Sequence, residues 1–303
     1  MRVLLVGATG QLGLELYRCF GNSGEVRALV RSPHAALPDA QVAPGGDDRA
    51  LATPVDAFGP DVILNAAAWT DVDGAESDPA GAYAANAELP AQLARLAARH
   101  GALLVHYSTD YVFDGSADHA YTETDQPAPA SVYGASKLEG EGRIGEAGCQ
   151  ALILRTSWVY SSRRRNFLRT IARRASQGGE LAVVDDQYGC PTWARDLAQC
   201  TLAAVAGIRR GVAQAGLYHV AGRDAGNWWD FAVLITNTLY RLGVLEREPE
   251  VRRVTTGAFP SVAPRPANSR LDSARFAAAF GTVPGGWSSA RLCVTECIEA
   301  DLC

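Results

Sequence analysis

Lysine is almost absent from this chain: of the 28 lysines and arginines in 303 residues, one is a lysine, Lys137. Every other non-histidine cation is an arginine, which differs from lysine in shape, hydration and readiness to shift pKa. Long apolar runs are missing too. No stretch approaches the length that spans a bilayer, and the run MRVLLVGATG is too short for a signal peptide. The net charge is −5, and no basic tract is long enough for a nucleic-acid footprint. The densest positive run, Ser162-Arg163-Arg164-Arg165, reads as a solvated loop or helix start. Seven cysteines (19, 149, 190, 200, 293, 297, 303) form no C-x-x-C pair. Cys293 and Cys297 share a helical face, but no histidine stands near to complete a metal site. These absences predict a cytoplasmic protein with reduced thiols and neither a nucleic-acid nor a membrane partner.

What is present is ample apolar content, 48 % of residues, enough for one large domain or two unequal ones. Strand-like and helix-like stretches alternate through the first half. Residues 2–6, 26–30, 61–65, 103–107 and 151–156 read as strands; 11–20, 80–99 and 132–146 read as helices. That alternation predicts an α/β fold, a Rossmann-type doubly wound parallel sheet. Residues 1–156 would form the dinucleotide-binding domain, with roughly 193–220 returning to it. The rest, 157–303, would form a smaller, mostly C-terminal substrate domain. Further helices are expected at 167–177, 196–206 and 228–242, and short strands at 181–184 and 217–220. The Pro-rich piece FPSVAPRPANS (259–269) cannot be regular structure and is expected to line a cleft or wrap the surface.

The first chemical motif is Gly7-Ala8-Thr9-Gly10-Gln11-Leu12-Gly13, directly after the first strand and opening the first helix. Glycines there let the backbone turn tightly and approach a pyrophosphate, which unpaired N–H groups of the helix start attract. The spacing G-x-x-G-x-x-G points to the short-chain dehydrogenase/reductase superfamily. The second strand ends Val30-Arg31-Ser32, where an acid would hold the 2′-hydroxyl of NAD; Arg31 can instead pair with the 2′-phosphate of NADP. Asp47 or Asp48, after a third strand, would cap a helix or reach the adenine amine. Small residues after the strand at 61–65, Ala66-Ala67-Ala68, suit a ligand floor. Tyr133 and Lys137, at i and i+4, lie on one helical face. A free phenol has a pKa of about 10, and a neighbouring ammonium is expected to bring it down. A hydroxyl such as Thr109 can hydrogen-bond a substrate carbonyl and share in proton transfer.

With these residues in hand the chain resembles the dTDP-4-dehydrorhamnose reductases, extended short-chain reductases, nearly end to end. The likeness rests on the glycine motif and on NAAAWTDVDGAE (65–76), STDYVFDG (108–115), YGASK (133–137), RTSWVY (155–160), DDQYGCPT (185–192) and RPANSRLD (265–272). The resemblance implies reduction of the C4 ketone of dTDP-4-dehydro-L-rhamnose by NADPH or NADH. Carried over by position, it implies Tyr133 as proton donor, Lys137 on the nicotinamide ribose and Thr109 tuning the acid. It implies Gly10, Gln11 and Leu12 at the cofactor phosphates, with Ala68, Trp69, Thr70 and Tyr107 along its remaining length. Thr109 and Asp110 would contact the sugar, Trp158 would lie over it, and Val72 would border it.

Two departures stand out. Val30 and Arg31 replace an aspartate found in some relatives, which tilts the expected cofactor to NADPH. Some relatives dimerise through a metal bridged by glutamates; here Glu15 is present, but Arg195 stands where another acid would be needed, so no metal is expected. Whether the chain is a homodimer or a monomer is left open. Dehydratases on this scaffold usually follow the threonine with Asp-Glu, whereas this chain has Asp110-Tyr111. A related keto-deoxysugar reductase, an epimerase or a non-catalytic NADP-binding regulatory subunit are the rival readings. The intact Thr109, Tyr133 and Lys137 favour an enzyme over the last.

Overall fold

The period-two alternation of the first strand decides the layering. In the computed structural model, which describes residues 1–43, 48–178, 180–259 and 261–300, β1 spans Arg2–Val6. Val3 and Leu5 point to one face, into a cluster with Leu16 and Phe20 of α1 (Gln11–Gly21) and Leu197 and Val205 of the helix Ala194–Arg209. Leu4 points to the other, with Val55 and Phe58 of α2 (Asp48–Phe58) and Leu93 of the helix Leu89–His100. Both faces are therefore covered, which is where an all-parallel sheet is stable.

Five further strands and a late one complete the sheet: β2 (Glu25–Val30), β3 (Gln41–Val42), β4 (Val62–Asn65), β5 (Leu103–Thr109), β6 (Ala151–Thr156) and Gly216–His219. The order across it is β3-β2-β1-β4-β5-β6 and then Gly216–His219, every pairing parallel. This is the doubly wound α/β sheet expected from the sequence. The chain winds one way from β1 to β3 and the other way from β4 onward. The strand ends beside β1 and β4 thus open a crevice, the switch point where such sheets hold ligands.

A second core forms beyond β6, from Tyr160, Leu168, Ile171, Phe231, Ile235 and Val294 among others. It lies between the helices Phe167–Ser176, Trp228–Arg241 and Trp287–Glu299, beside a parallel pair of strands, Leu181–Val184 and Val251–Val254. The sequence VRRV at 251–254 has no apolar face and carried no strand expectation. Cys293 and Cys297 are buried in this core as free thiols. The helix Ala194–Arg209 instead returns to the sheet, where Thr201 Oγ1 lies 2.9 Å from the Tyr107 hydroxyl.

One expected helix is not uniform. Residues 79–100 run as α-helix Pro79–Tyr83, π-helix Ala84–Glu88 and α-helix Leu89–His100. Pro90 has no N–H to give the Asn86 carbonyl four residues earlier, and the Leu89 N–H bonds back to the Ala84 carbonyl. The Pro-rich segment wraps the surface. Its Ala263 N–H and Arg265 Nη2 both bond Asp73, at 3.0 and 2.8 Å, and Asn268 Nδ2 reaches the carbonyls of Ala117 and His119. Among the described residues no helix is long and apolar enough to cross a membrane.

Candidate active site

The glycines after β1 do separate jobs. Gly7 has φ +84°, and a Cβ there would sit 2.4 Å from the Ala67 amide nitrogen, so only glycine lets this turn press on the loop after β4. A Cβ on Gly13 would lie 2.1 Å from the Gly7 carbonyl oxygen, which seats α1 on the turn. At Gly10 an added Cβ would meet only that same oxygen, at 3.4 Å, and Gly10 gives α1 no side-chain cap. The helix start at Gln11 and Leu12 thus offers uncapped N–H groups on an open side, a cradle that fits a phosphate group.

The loop after β4 is held from below. Asn86, in the π-helical turn, accepts from the Trp69 N–H at 2.9 Å and donates to the Trp69 carbonyl at 3.2 Å and to Ser136 Oγ at 3.0 Å. Ala68 and Thr70 remain exposed and Trp69 half-buried, so this floor faces the crevice. Arg31 is exposed beyond β2. Asp47 and the side chain of Asp48 lie outside the described residues. Sequence reasoning missed Asn86; the proline four residues after it was the available signal.

Lys137 is 2 % exposed, one turn after Tyr133 on the helix Val132–Glu146, whose first turn Ser131 caps. Its ammonium donates to the Tyr107 carbonyl at 2.5 Å and lies 3.3 Å from His106 Nε2. What Tyr107 brings to the site is that carbonyl, because its phenol turns into the core toward Thr201. The Asn65 Oδ1 accepts from the Ala67 N–H, which leaves Asn65 Nδ2 to donate to His106 Nδ1 at 3.0 Å. The imidazole proton then sits on Nε2 and faces Lys137, an arrangement that favours the free amine. Burial pulls the Lys137 pKa down to about 8, against Glu141, which raises it. Burial, with the Lys137 charge second, holds His106 well below its ordinary value, so it is neutral.

Tyr133 departs from expectation. Its ring is half-buried on the crevice, edge-on to Tyr111 at 5.9 Å between centroids. Burial raises the phenol to about 12, the Thr109 hydroxyl beside it lowers it, and the Asp110 charge raises it. The expected lowering by the Lys137 ammonium is absent, because that ammonium is turned to Tyr107 and His106. Thr109 ends β5, accepts from the Tyr111 N–H at 3.1 Å and donates to Asp110 Oδ1 at 3.0 Å. Ser157 Oγ donates to the other carboxylate oxygen at 2.9 Å. Burial still lifts Asp110 to about 6, in spite of the hydroxyls of Ser269, Ser157 and Thr109.

Trp158 adopts a left-handed backbone, φ 45°, which non-glycine residues rarely hold. Its ring is stacked on Trp228 at 3.5 Å and 5°, with Gly189 on its edge, where a Cβ would come within 2.4 Å. Such strain persists only where surroundings over-determine it, and here the Trp228 ring and Gly189 hold the Trp158 side chain from two sides. Val72 opens a short helix after Asp71, half-buried, next to the Asp73–Arg265 latch. Behind β5, Arg155 clamps Glu141 with two bonds, at 2.9 and 2.7 Å, and Ser108 donates to the same carboxylate. On the far side, Arg195 bonds Glu296 through two nitrogens and reaches Glu15 at 3.4 Å. The chain supplies its own cation to those glutamates, and a metal would have to displace it.

A parallel sheet with this order, a glycine turn at its first strand and a Tyr-x-x-x-Lys helix facing the fifth define a short-chain dehydrogenase/reductase scaffold. The model of a particular family, described as RmlD substrate binding domain, matches residues 1–301. The chain is 41 % identical over 287 residues to a dTDP-4-dehydrorhamnose reductase of Shigella flexneri, covering 95 % of this chain and 94 % of that one. Among solved structures it superposes on a dTDP-4-dehydrorhamnose reductase of Clostridium acetobutylicum with TM-score 0.85 and 32 % identity, covering all of both chains. A dTDP-4-dehydrorhamnose reductase of Bacillus anthracis, solved in complex with NADP, superposes with TM-score 0.83 and 29 % identity over 96 % of this chain and 97 % of that one. The chain belongs to the dTDP-4-dehydrorhamnose reductase family.

Proposed function

We propose that the chain reduces the C4 ketone of dTDP-4-dehydro-L-rhamnose to the alcohol of dTDP-L-rhamnose, with NADPH as reductant. The observation that carries this reading is the grouping of Thr109, at the end of β5, with Tyr133 and Lys137, one turn apart on the helix Val132–Glu146 packed beside it. Bound, the nicotinamide supplies the hydride to C4. The chain's own part is the proton and the geometry. With its pKa at about 12 the Tyr133 phenol is protonated at neutral pH, so it has a proton to give the C4 oxygen as the hydride reaches the carbon. Thr109 stands beside the phenol, lowers its pKa and keeps the ring in place. Lys137 then stabilises the phenolate that remains, provided that a ligand's hydroxyls take over from the neutral His106 as its partners.

Gly10, Gln11 and Leu12 would hold the cofactor diphosphate at the start of α1, with Gly7 and Gly13 shaping that turn. Ala68, Trp69 and Thr70 would line its length, and Arg31 would meet its 2′-phosphate. Trp158 would cover the sugar ring, with Val72, Thr109 and Asp110 around it. This reading assigns 1–156 and roughly 193–220 to dinucleotide binding and most of 157–303 to the nucleotide sugar. The test is to give the purified chain NADPH and the dTDP-4-keto sugar and to follow both NADPH loss and the mass of the sugar nucleotide. Stoichiometric conversion to a product heavier by one hydride and one proton is expected. Dinucleotide binding without turnover would instead favour the regulatory-subunit reading.

A further inference from the structure

The arginine run at 163–165 reads from the sequence as solvated surface, and the fold gives it a different address. It joins the strand Val159–Tyr160 to the helix Phe167–Ser176 and lies across the glycine turn of the other body. Ser161 Oγ and Asn166 Nδ2, flanking the run, both donate to Gln11 Oε1, at 3.0 and 2.9 Å. Arg164 itself donates from Nε to the Thr9 carbonyl at 2.8 Å, and its Nη2 stops 2.9 Å from His34 Nε2. Its guanidinium therefore spans the gap between the turn after β1 and the segment after β2.

Two observations make this more than a latch. Arg164 holds φ 60°, the left-handed region, and non-glycine residues kept there cluster at functional sites. The cluster is also one acceptor short. His34 Nδ1 faces the Ala36 N–H at 3.2 Å while Nε2 faces the Arg164 N–H. A neutral imidazole has one acceptor nitrogen, so one of these donors meets another donor. An oxyanion beside Nε2 and Nη2 would accept from both. Arg31 stands three residues before His34, and among the described residues neither Arg31 nor Arg164 has a carboxylate within ion-pair distance.

We propose that Arg164, with His34 and Arg31, forms the seat of the 2′-phosphate of NADPH, so that a loop of the second body selects the cofactor bound by the first. The inference rests on the NADPH reading above. Place distinguishes this phosphate from the diphosphate: the latter belongs at the start of α1, whereas Arg164 and His34 meet one strand over, beside the ribose position at the end of β2. A guanidinium fork suits a dianionic phosphate, which it can meet through two N–H groups.

Arg164→Gly is the informative variant, because glycine takes φ 60° without strain and the fold should survive. Calorimetric Kd values for NADP⁺, NAD⁺ and adenosine 2′,5′-bisphosphate are compared between wild type and variant, with no turnover involved. The expected result is a loss of about tenfold or more for NADP⁺ and for the bisphosphate, with NAD⁺ bound as before. Equal weakening of NADP⁺ and NAD⁺ would make Arg164 a latch on the glycine turn, and no weakening would return it to the surface. Either result overturns the proposal. Wild-type protein that binds NAD⁺ as tightly as NADP⁺ would overturn the NADPH reading itself, before any variant is made.

Discussion

The two ends of the crevice handle positive charge in opposite ways. At the end between β5 and the helix Val132–Glu146, a single cation, Lys137, is 2 % exposed and shifted in pKa by its burial. At the end beside β2, the cations are two arginines, Arg31 and Arg164, both exposed. A buried cation in low dielectric acts strongly at short range and changes its protonation state with its partners. An exposed one is screened and serves to attract an anion and tell it from its neutral analogue. The contrast explains why one site needs lysine while arginine suffices elsewhere: only the buried end asks for a compact cation whose proton can be loosened.

The largest effect should come from the buried end. Tyr133→Phe keeps the ring against Tyr111 but removes the acid, and turnover is expected to fall by at least ~10²-fold, the usual worth of a positioned general acid. Cofactor Kd should be almost unchanged. A variant retaining a tenth of wild-type kcat, a barrier change of only about 1.4 kcal/mol, would rule out the phenol as the proton source.

Lys137→Arg comes next and tests the comparison itself. The ammonium sits between the Tyr107 carbonyl and the His106 ring, where a broad planar fork does not fit. Displacing the neighbouring phenol by about 1 Å is enough to cost on the order of 10²-fold in rate. Wild-type kinetics for this variant would mean that the buried end needs charge alone, and the contrast with the arginine end would disappear.

Local patterns were legible in the sequence and distant encounters were not. The glycine turn, the alternation that makes the sheet and the Tyr133–Lys137 pairing on one helical face all follow from spacing within a few residues. The partners of Lys137 come from β5, some thirty positions earlier, so the sequence put its ammonium beside the tyrosine and predicted a lowered phenol pKa. Burial won instead. Asn86 escaped notice because helical periodicity hides a π turn, although Pro90 marked it. Arg164 lies 155 positions from Thr9, and nothing local in an arginine run tells a clamp from solvated surface.

The pH dependence separates the roles of the buried lysine. If catalysis needs the ammonium, kcat/KM should fall above about pH 8, where Lys137 loses its proton, by up to about tenfold per pH unit. Stability should move the other way. The folded pKa lies below the unfolded one, so between about pH 8 and about 10.5 the unfolded chain holds more protons and stability rises with pH. Lys137→Met removes that rise and, below pH 8, should stabilise the fold by about 2 kcal/mol once the lost bond to Tyr107 is counted. Stability of wild type and variant that runs parallel from about pH 7 to about pH 10 would contradict the shifted lysine.

The smallest effect belongs to the exposed end. Arg31 would add one exposed cation to a phosphate already held by Arg164 and His34, so Arg31→Ala alone should lower the NADPH-over-NADH preference in kcat/KM by only about fivefold, about 1 kcal/mol. Added salt should shrink even that, because an ion pair exposed to solvent weakens as ionic strength rises. Smallness is itself the signature of a cation that shares a dianion with others: Arg164 and His34 still hold the phosphate when Arg31 is gone. The double variant Arg31→Ala with Arg164→Gly then sharpens the comparison. Two cations holding one phosphate should show coupling, with the double loss departing from the product of the single ones, whereas cations acting separately would simply multiply. A preference unmoved by Arg31→Ala at low salt would leave Arg31 as surface, and the selection at this end would fall to Arg164 and His34.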